Sequence, residues 1–244
     1  SIVRVMLVFT NQARSKWPDR EGLAALMFAE ANEGMSNSNI PILFEQAGFF
    51  NADYNELLGT TGYNDMLTAL RQPTNTSLGQ AVSVARDQNK ADLVMMLSTN
   101  NSYCGMAYLN ANKALGFGIT SCATGNYTFA HEMGHNLGAD HNSDIVAGNY
   151  GDAFGYRQDK VLPYWRAIMA AVGTVSCPKV NYWSNPDRTF NGLPIGIVGI
   201  SNNTRMLNLR RDVVANFYPP ENGLPPTGHL ESPVEVDANQ SFSV

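Results

Sequence analysis

The sequence lacks several features that mark other classes of protein. No apolar run approaches the roughly 20 residues of a membrane-spanning helix, and Ser1 does not open the basic and then apolar stretch of a signal peptide. Lys and Arg number 16 against 21 Asp and Glu, so there is no basic excess of the kind that binds a nucleic-acid backbone. We therefore expect no membrane and no nucleic acid among the partners.

Cysteine is also scarce. Cys104, Cys122 and Cys177 are the three cysteines, and none has zinc-finger spacing. One disulfide and one remaining thiol would fit an oxidising compartment. We prefer Cys104 with Cys122, because both lie in segments that read as neighbouring strands; three reduced, buried cysteines are the alternative, and the state of Cys177 is left open.

The last 27 residues lack basic side chains and apolar periodicity. Residues 218–244 contain four acidic residues, no Lys or Arg, and five of the twelve prolines. Residues 1–217 then hold 16 basic and 17 acidic residues and are nearly neutral. This acidic, proline-rich tail is expected to be a linker, a strap on the surface, or the remnant of a following domain.

Three of the four histidines fall within residues 131–141, which read His-Glu-Met-Gly-His-Asn-Leu-Gly-Ala-Asp-His. On a helix, His131 and His135 lie four residues apart on one face, so both imidazoles can reach one metal ion. His141 could not point at that ion if the helix continued. Gly138 permits the necessary turn, because glycine accepts positive φ. The spacing predicts a metal site with three histidine ligands.

The chemistry of such a site follows from the ligand count. Three neutral ligands leave one position of tetrahedral zinc open for water, whose pKa the metal lowers to roughly 7. Glu132 beside the ligands can act as general base on that water and later as acid toward a leaving amine. We therefore predict one catalytic Zn²⁺, Glu132 as the catalytic residue, and amide hydrolysis. The alternative, a core helix whose histidines merely form hydrogen bonds, does not explain the common register of histidines, glutamate and glycine.

Strand and helix patterns alternate through the first half of the chain, which predicts an α/β fold with a mainly parallel sheet. Strands are predicted at 2–9, 40–50 and 91–98, with helices between them. Residues 103–110 follow with almost no connection, so they should run antiparallel, at the edge of the sheet. A fifth strand at 117–122 leads into the zinc helix.

The predicted edge strand has a functional interpretation. Gly105, Met106, Ala107 and Tyr108 could pair with the backbone of an extended polypeptide substrate and hold its scissile carbonyl over the metal. The alternative is an edge that is only solvated. With polypeptide substrates as the expected partners, we expect the protein to be a monomer.

After His141 the sequence no longer shows a clear alternation of helix and strand patterns. We expect an upper catalytic subdomain at 1–141, a smaller and mostly irregular or helical subdomain at 142–217 that ends in a helix, and the tail at 218–244. Met169 lies in this second part, in Arg-Ala-Ile-Met-Ala-Ala-Val-Gly. By itself it could simply belong to the core.

With the long zinc motif, Met169 placed 28 residues after His141, and an α/β sheet before both, the chain resembles the metzincin metalloproteases. Three further stretches resemble bacterial reprolysin-like enzymes of the peptidyl-Asp metalloendopeptidase type: 103–109 (YCGMAYL), 121–130 (SCATGNYTFA) and 182–187 (YWSNPD). The resemblance implies a twisted mixed sheet of about five strands and a tight turn at Met169 beneath the zinc. It also implies a secreted endopeptidase, made as a zymogen, that cleaves on the amino side of aspartate.

The start of the chain bears on whether the protein is secreted. The start at Ser1, directly before a strand, fits a mature chain cut from a precursor, and would fit an expression fragment equally well.

The sequence differs from the enzymes that it resembles at two positions near the predicted metal site. Asn142 stands where reprolysin-like enzymes commonly have aspartate, and Ala171 stands where related turns often have tyrosine.

Selection of aspartate would need a positive charge, because burying a carboxylate without a partner costs several kcal/mol. In metzincins the wall of the specificity pocket follows the methionine turn, so the candidates are Lys179, Arg166, Arg188 and Arg157. We rank Lys179 and Arg166 first, although each of the four could be an ordinary surface charge.

Two other functions remain open at this stage. One is a catalytically silent module in which zinc only stabilises the fold, and the presence of Glu132 argues against it. The other is a toxin-like protease with a narrow substrate range. The physiological substrate, the action of a pro-segment and any structural calcium are not indicated by the residues.

Overall fold

The computed structural model describes residues 1–145 and 151–219, and the backbone of residues 241–243. The helices in these ranges are α1 (Asn11–Lys16), α2 (Arg20–Asn37), α3 (Gly59–Arg71), α4 (Gly79–Asn89), α5 (Thr128–Asn136) and α6 (Asn203–Val214), with a short 3₁₀ turn at Lys113–Leu115. None of these helices combines the length and the apolar character needed to cross a bilayer.

Strands are found in both halves of the chain. Those of the first half are β1 (Ile2–Phe9), β2 (Leu43–Asn51), β3 (Leu93–Leu97), β4 (Gly105–Tyr108) and β5 (Phe117–Thr120). Those of the second half are β6 (Arg157–Gln158), β7 (Trp165–Arg166), β8 (Asn185–Phe190), β9 (Leu193–Ile195) and β10 (Ser241–Ser243).

The main sheet has the order β10-β4-β5-β3-β1-β2. The pairs β1 with β2, β1 with β3, and β3 with β5 are parallel, whereas β4 is antiparallel to β5. The predicted α/β class and the predicted antiparallel direction of β4 are therefore confirmed. The antiparallel direction of β4 has the predicted cause, because the few residues between β3 and β4 cannot form a parallel crossover.

Strands β1–β5 form the predicted mixed sheet of about five strands, with the antiparallel β4 at one side, and one further strand pairs with it. Ser241–Ser243 adds a sixth strand antiparallel to β4, with Ser241 opposite Tyr108 and Ser243 opposite Met106. This pairing supplies partners for backbone groups that an edge strand leaves unsatisfied. No pattern in the sequence of the tail predicts this strand. Residues 220–240 and 244 lie outside the part of the chain that the structure describes.

The sheet is covered on both faces, because the side chains of β1 alternate between two apolar clusters. Val5, Leu7 and Phe9 pack against α2 and α5 on one face. Met6 and Val8 pack against α3 and α4 on the other. The motif helix α5 thus lies on the same face as α2, beside β4 and β5.

The second half of the chain contains more regular structure than predicted. Besides α6, it forms two antiparallel pairs, β6 with β7 and β8 with β9. A small apolar cluster around Trp165, Ala167 and Ile195 joins these pairs. Strands β6, β7 and β9 have only two or three residues each, and β8 is polar and mostly exposed, which explains why this part was predicted to be mostly irregular or helical.

Candidate metal centre

The motif helix α5 is buried along its whole length and is tied to the sheet at its C-terminal end. The Asn136 side-chain amide donates to the carbonyl oxygens of Tyr108 (2.8 Å) and Phe117 (3.2 Å). The backbone N–H of Asn110 donates to the carbonyl of His135 at 2.8 Å. The helix therefore holds a set position relative to both β4 and β5.

The chain reverses direction directly after α5, as the motif predicts. Gly138 has φ of +88°, a conformation that side chains with a Cβ rarely adopt. The N–H groups of Gly138 and Ala139 donate to His135 and Gly134, which satisfies the carbonyls at the end of the helix. The turn brings His141 back against the two helical histidines.

The three histidines converge through the same ring atom. Nε2 of His141 lies 3.0 Å from Nε2 of His131 and 3.1 Å from Nε2 of His135. Two nitrogens bound to one tetrahedral zinc at about 2.1 Å each would stand roughly 3.4 Å apart. The three rings are buried and form a group that could hold a metal ion. Their spacing fits zinc closely.

Backbone carbonyls orient two of these rings for metal binding. Nδ1 of His131 lies 2.8 Å from the Ile168 carbonyl, and Nδ1 of His135 lies 3.0 Å from the Ala139 carbonyl. A carbonyl can only accept, so each Nδ1 must carry the proton. The lone pair is then on Nε2, the atom that faces the other rings.

The protonation state of the triad also suits a metal ligand. Burial lowers the pKa of His131 and His135 well below the usual value, and it lowers the pKa of His141 to about 4. The three imidazoles are therefore neutral near pH 7, the form that binds zinc.

Glu132 is fully buried beside the triad, and within the described residues neither of its carboxylate oxygens has a hydrogen-bond partner. Burial raises the pKa of this carboxyl well above its usual range, while the nearby charge of Lys179 lowers it. A buried carboxylate without a partner is costly unless a bound species compensates it. A metal ion and its water would provide that compensation, so the donor set fits zinc.

Met169 lies beneath α5, in a tight turn in which the N–H of Ala170 donates to the carbonyl of Ala167 at 3.0 Å. The same turn supplies the Ile168 carbonyl that orients His131. A Cβ added at Gly134 would come within 2.9 Å of the Met169 sulfur and 2.6 Å of the Trp183 ring. Met169 therefore lies next to the motif helix, in the turn that also orients His131.

Asn142 retains a contact to this turn despite replacing the commoner aspartate. It is buried, and its Oδ1 accepts a hydrogen bond from the N–H of Ala171 at 2.8 Å. A neutral amide therefore connects the residue after the third histidine to the turn. Ala171 itself has no hydroxyl that could contact substrate.

The four basic candidates occupy different environments. Arg157 forms ion pairs at 2.8 Å with Asp144 and Asp159. The Arg166 guanidinium donates to the carbonyls of Cys177 and Ala170. Arg188 is exposed on β8. These three lie in ion pairs, in backbone hydrogen bonds or at the surface.

Lys179 is half-buried, and its positive charge lowers the pKa of all three histidines and of Glu132. Of the four candidates, Lys179 is therefore the one whose charge acts on the three histidines and on Glu132.

The predicted disulfide is present between Cys104 and Cys122, with Cα atoms 4.9 Å apart. Cys104 directly precedes β4, and its carbonyl accepts from the N–H of Ser121 at 2.7 Å. The bridge thus joins the start of β4 to the end of β5, as expected. Cys177 is a free, buried thiol.

Sequence reasoning missed two residues that shape the site. Asn136 ties the motif helix to both neighbouring strands, and Trp183 packs against Gly134 in the motif. A polar residue inside an otherwise buried motif could have indicated the first. Nothing in the local sequence connects residue 183 with residue 134.

Comparison with known proteins agrees with this geometry. The family described as Reprolysin_5, metallo-peptidase family M12, matches residues 1–184. Relatives named peptidyl-Asp metalloendopeptidase include one from Stenotrophomonas maltophilia (strain R551-3), 36% identical over 88% of this chain and 52% of its own length. Another, from Xanthomonas campestris pv. campestris, is 34% identical over 87% of this chain and 51% of its own length. The chain thus spans about half the length of these relatives.

The fold also has a counterpart among solved structures. A chain from a structure titled "Structure of a chaperone-substrate complex" superposes with a TM-score of 0.70 over 88% of this chain and 35% of that one, at 19% identity. This likeness concerns the fold alone. The family match over residues 1–184, which contains the three histidines of the metal site, shows that the chain belongs to metallo-peptidase family M12.

Proposed function

We propose that the protein is a zinc-dependent endopeptidase that cleaves polypeptides on the amino side of aspartate. The observation that carries the proposal is the convergence of three buried Nε2 atoms beside a buried carboxylate without a partner. A structural zinc site has no use for such a carboxylate, because its ligands alone complete the coordination. A hydrolytic site does, because a water must be activated next to the metal.

The chain's own residues take the following parts in hydrolysis. His131, His135 and His141 hold the metal, and bound zinc supplies a polarised water of lowered pKa. Glu132 accepts a proton from the attacking water at a carboxylate oxygen and passes it to the nitrogen of the leaving amine. Burial of α5 excludes bulk water, so the carboxylate acts in an environment where electrostatic effects are strong.

Glu132 is suited to both halves of this proton transfer. Its burial raises its pKa, which favours uptake of the proton from water. The nearby charge of Lys179 acts in the opposite direction, and a bound zinc ion would add a second positive charge that favours the ionised carboxylate. Opposed influences of this kind bring the pKa of a general base toward the working pH.

The polypeptide substrate is proposed to bind extended along β4. The strand begins at Gly105, whose backbone is in contact with the Glu132 side chain, so a chain paired with β4 passes directly over the metal centre. The outer side of β4 is paired with Ser241–Ser243 in this structure. A substrate strand would therefore replace that segment.

Aspartate selection is supported by the relatives, which are named for it, and by a half-buried lysine at the site. Secretion as a zymogen to an extracellular location is part of the same proposal. The Cys104–Cys122 disulfide supports it, because such bonds persist mainly in oxidising compartments. We propose that the enzyme acts as a monomer.

The decisive experiment digests a denatured protein with and without a zinc chelator and identifies the new amino termini. The proposal predicts termini that begin mainly with aspartate and that vanish with the chelator. Cleavage without preference would overturn the aspartate part alone. Cleavage of one native protein and of no denatured one would favour a narrow-substrate protease. No cleavage by the zinc-loaded protein would favour a silent zinc module.

A further inference from the structure

We propose that Tyr63 is a positioning residue for the reaction, because it fixes the start of β4 against Glu132 from the opposite face of the sheet. This inference rests on the proposed function and goes beyond it by giving a residue of α3 a part in the chemistry. Three contacts carry it: the contact of Glu132 with Gly105, the fastening of the start of β4 to the end of β5, and the grip of Tyr63 on both.

The start of β4 is the point where the strand meets Glu132. A Cβ at Gly105 would come within 2.2 Å of Oε1 and 2.7 Å of Cγ of Glu132, so the carboxylate lies directly against the backbone of the strand. Within the described residues no hydrogen bond holds that carboxylate. Its position is therefore set by packing, and the backbone of Gly105 forms one wall.

The place of Gly105 depends on the junction of two strands, which we define as residues 103–105 and 120–122. In this β4–β5 junction the carbonyl of Cys104 accepts from the N–H of Ser121 at 2.7 Å and from the N–H of Cys122 at 3.2 Å. The disulfide joins Cys104 to Cys122. Gly105 follows directly, so a movement of the junction moves the wall beside Glu132.

Tyr63 of α3 holds the β4–β5 junction on both of its strands. The side chain is fully buried, and its hydroxyl oxygen lies 3.1 Å from that of Ser121. Its ring meets the ring of Tyr103 edge to face, with centroids 5.6 Å apart. Burial raises the pKa of the Tyr63 phenol, so the hydroxyl stays neutral and keeps its hydrogen bond to Ser121.

The start of α3 is itself anchored to the connection that leads into β4. Asn100 in that connection is buried, and its side-chain amide donates to the carbonyls of Leu57 (2.8 Å) and Gly59 (3.0 Å). The carboxylate of Glu56 accepts from the backbone N–H of Asn100 at 3.1 Å. The first turn of α3 is therefore tied to this connection, and Tyr63, about one turn further on, is a fixed support.

The junction is thus held from both faces of the sheet. Tyr63 belongs to the apolar cluster that contains the residues of α3 and α4, whereas Glu132 lies on α5, which packs on the other face. Packed interiors yield little, so a displacement on one face is passed to the other. Loss of the Tyr63 hydroxyl leaves Ser121 without this partner. A small shift at Gly105 then misplaces Glu132 relative to the attacking water.

The test removes single hydroxyl groups. Tyr63→Phe removes the phenol oxygen, Ser121→Ala removes the other half of the same bond and leaves the ring in place, and Ser121→Thr keeps a hydroxyl. Tyr218→Phe is the matched control, because it breaks the bond of another buried tyrosine, to Asp87, beside the residues that lead into the opposite end of β3. Zinc content, thermal unfolding, kcat and KM are measured for each with one peptide that is cleaved before aspartate.

We expect Tyr63→Phe and Ser121→Ala each to lower kcat roughly tenfold, with zinc retained and KM within about twofold of wild type. The combined variant should lose no more than either change alone, because the two changes remove one shared bond. Ser121→Thr should retain most of the turnover, and Tyr218→Phe all of it.

A second comparison shows whether Tyr63 acts through Glu132. The Glu132→Gln variant has already lost the base, so adding Tyr63→Phe to it should cause little further loss of kcat. A general loosening of the fold would instead cost roughly tenfold again in that background. That additive result would give Tyr63 a structural role only and would overturn the inference.

Other outcomes would overturn it as well. One is a kcat of Tyr63→Phe equal to that of wild type, and another is loss of zinc, which would place the effect at the ligands. If Tyr63→Phe does not fold, Ser121→Ala decides alone, and a normal kcat there counts against the inference. Failure of the proposed function is distinguishable, because wild type would then show no zinc-dependent cleavage or Glu132→Gln would keep full turnover.

Discussion

The side chain of Glu132 lies against the backbone of Gly105, so closely that a Cβ at Gly105 would come within 2.2 Å of Glu132 Oε1. The two residues belong to different elements, the motif helix α5 and the first position of β4. Their contact joins the group proposed to activate water to the strand proposed to hold the substrate. Only glycine permits so close an approach at this position.

Replacing Glu132 by Gln tests the general base directly. The amide keeps the shape of the side chain but cannot take a proton from water, so turnover should fall by about 10³-fold or more. Zinc content, measured by metal analysis, should stay at one ion per chain. His135→Ala is the comparison, because it should lose the metal as well. Near-normal turnover of Glu132→Gln would contradict the assigned role.

Gly105→Ala tests the contact between β4 and Glu132. The added methyl group must displace the carboxylate, so we expect kcat to fall at least about tenfold while zinc is retained. Peptide turnover and metal analysis on the same sample make the measurement. Unchanged kcat would show that the carboxylate tolerates displacement, and loss of zinc would show that the change disturbs the ligands instead.

Asn142 should contribute to stability through its bond to the methionine turn. Asn142→Ala leaves the part-buried N–H of Ala171 without its acceptor, which costs about 0.5–1.5 kcal/mol. Chemical denaturation of the zinc-loaded protein measures this loss. Asn142→Asp is the matched comparison, since it keeps the acceptor and adds a buried negative charge. Equal stability of wild type and Asn142→Ala would contradict this account.

The metal-free protein is expected to lose stability as the pH falls from about 6.5 to 5. The three ligand histidines have folded pKa values below those of the unfolded chain, so the unfolded state binds more protons in this range. Glu132 and Asp140, whose pKa values are raised, the latter to about 6, act in the opposite direction. Because three imidazoles are set against these two carboxyls, we expect the histidines to decide the sign, so that stability declines toward acid pH.

Urea denaturation in the presence of chelator, repeated across this pH range, measures the slope. In Glu132→Gln one opposing group is absent, and the decline toward acid pH should be steeper than in wild type. Stability that rises toward pH 5 in wild type would contradict the assigned pKa directions.

Removing residues 220–244 should expose β4. If substrates pair with this strand, loss of the competing segment Ser241–Ser243 lowers KM for long peptides and leaves kcat unchanged. Peptides too short to reach beyond Ala107 provide the control, because their KM should be the same in both forms. An unchanged KM for the long peptides would contradict competition at this edge.

Several elements were predictable because their causes are local. The buried strands β1 and β3 are continuous apolar runs, and α2 shows helical spacing of apolar residues. The antiparallel direction of β4 followed from the length of one loop. By contrast, the outer partner of β4 is supplied from residues 241–243, more than 130 positions away, and strands β6, β7 and β9 have only two or three residues. Long-range pairing of short segments leaves no local pattern to read.

The sequence by itself determined the metal centre, because the ligands, the base and the turn at Gly138 all lie within eleven residues whose geometry is set by one helix and one glycine. The tertiary structure alone decided which basic residue reaches that centre. Lys179, Arg166, Arg157 and Arg188 look alike along the chain, and only folding places three of them in ion pairs, backbone hydrogen bonds or solvent. The fourth, Lys179, lies where its charge and that of Glu132 act on each other, because the surroundings of a side chain are set by neighbours that are distant in sequence.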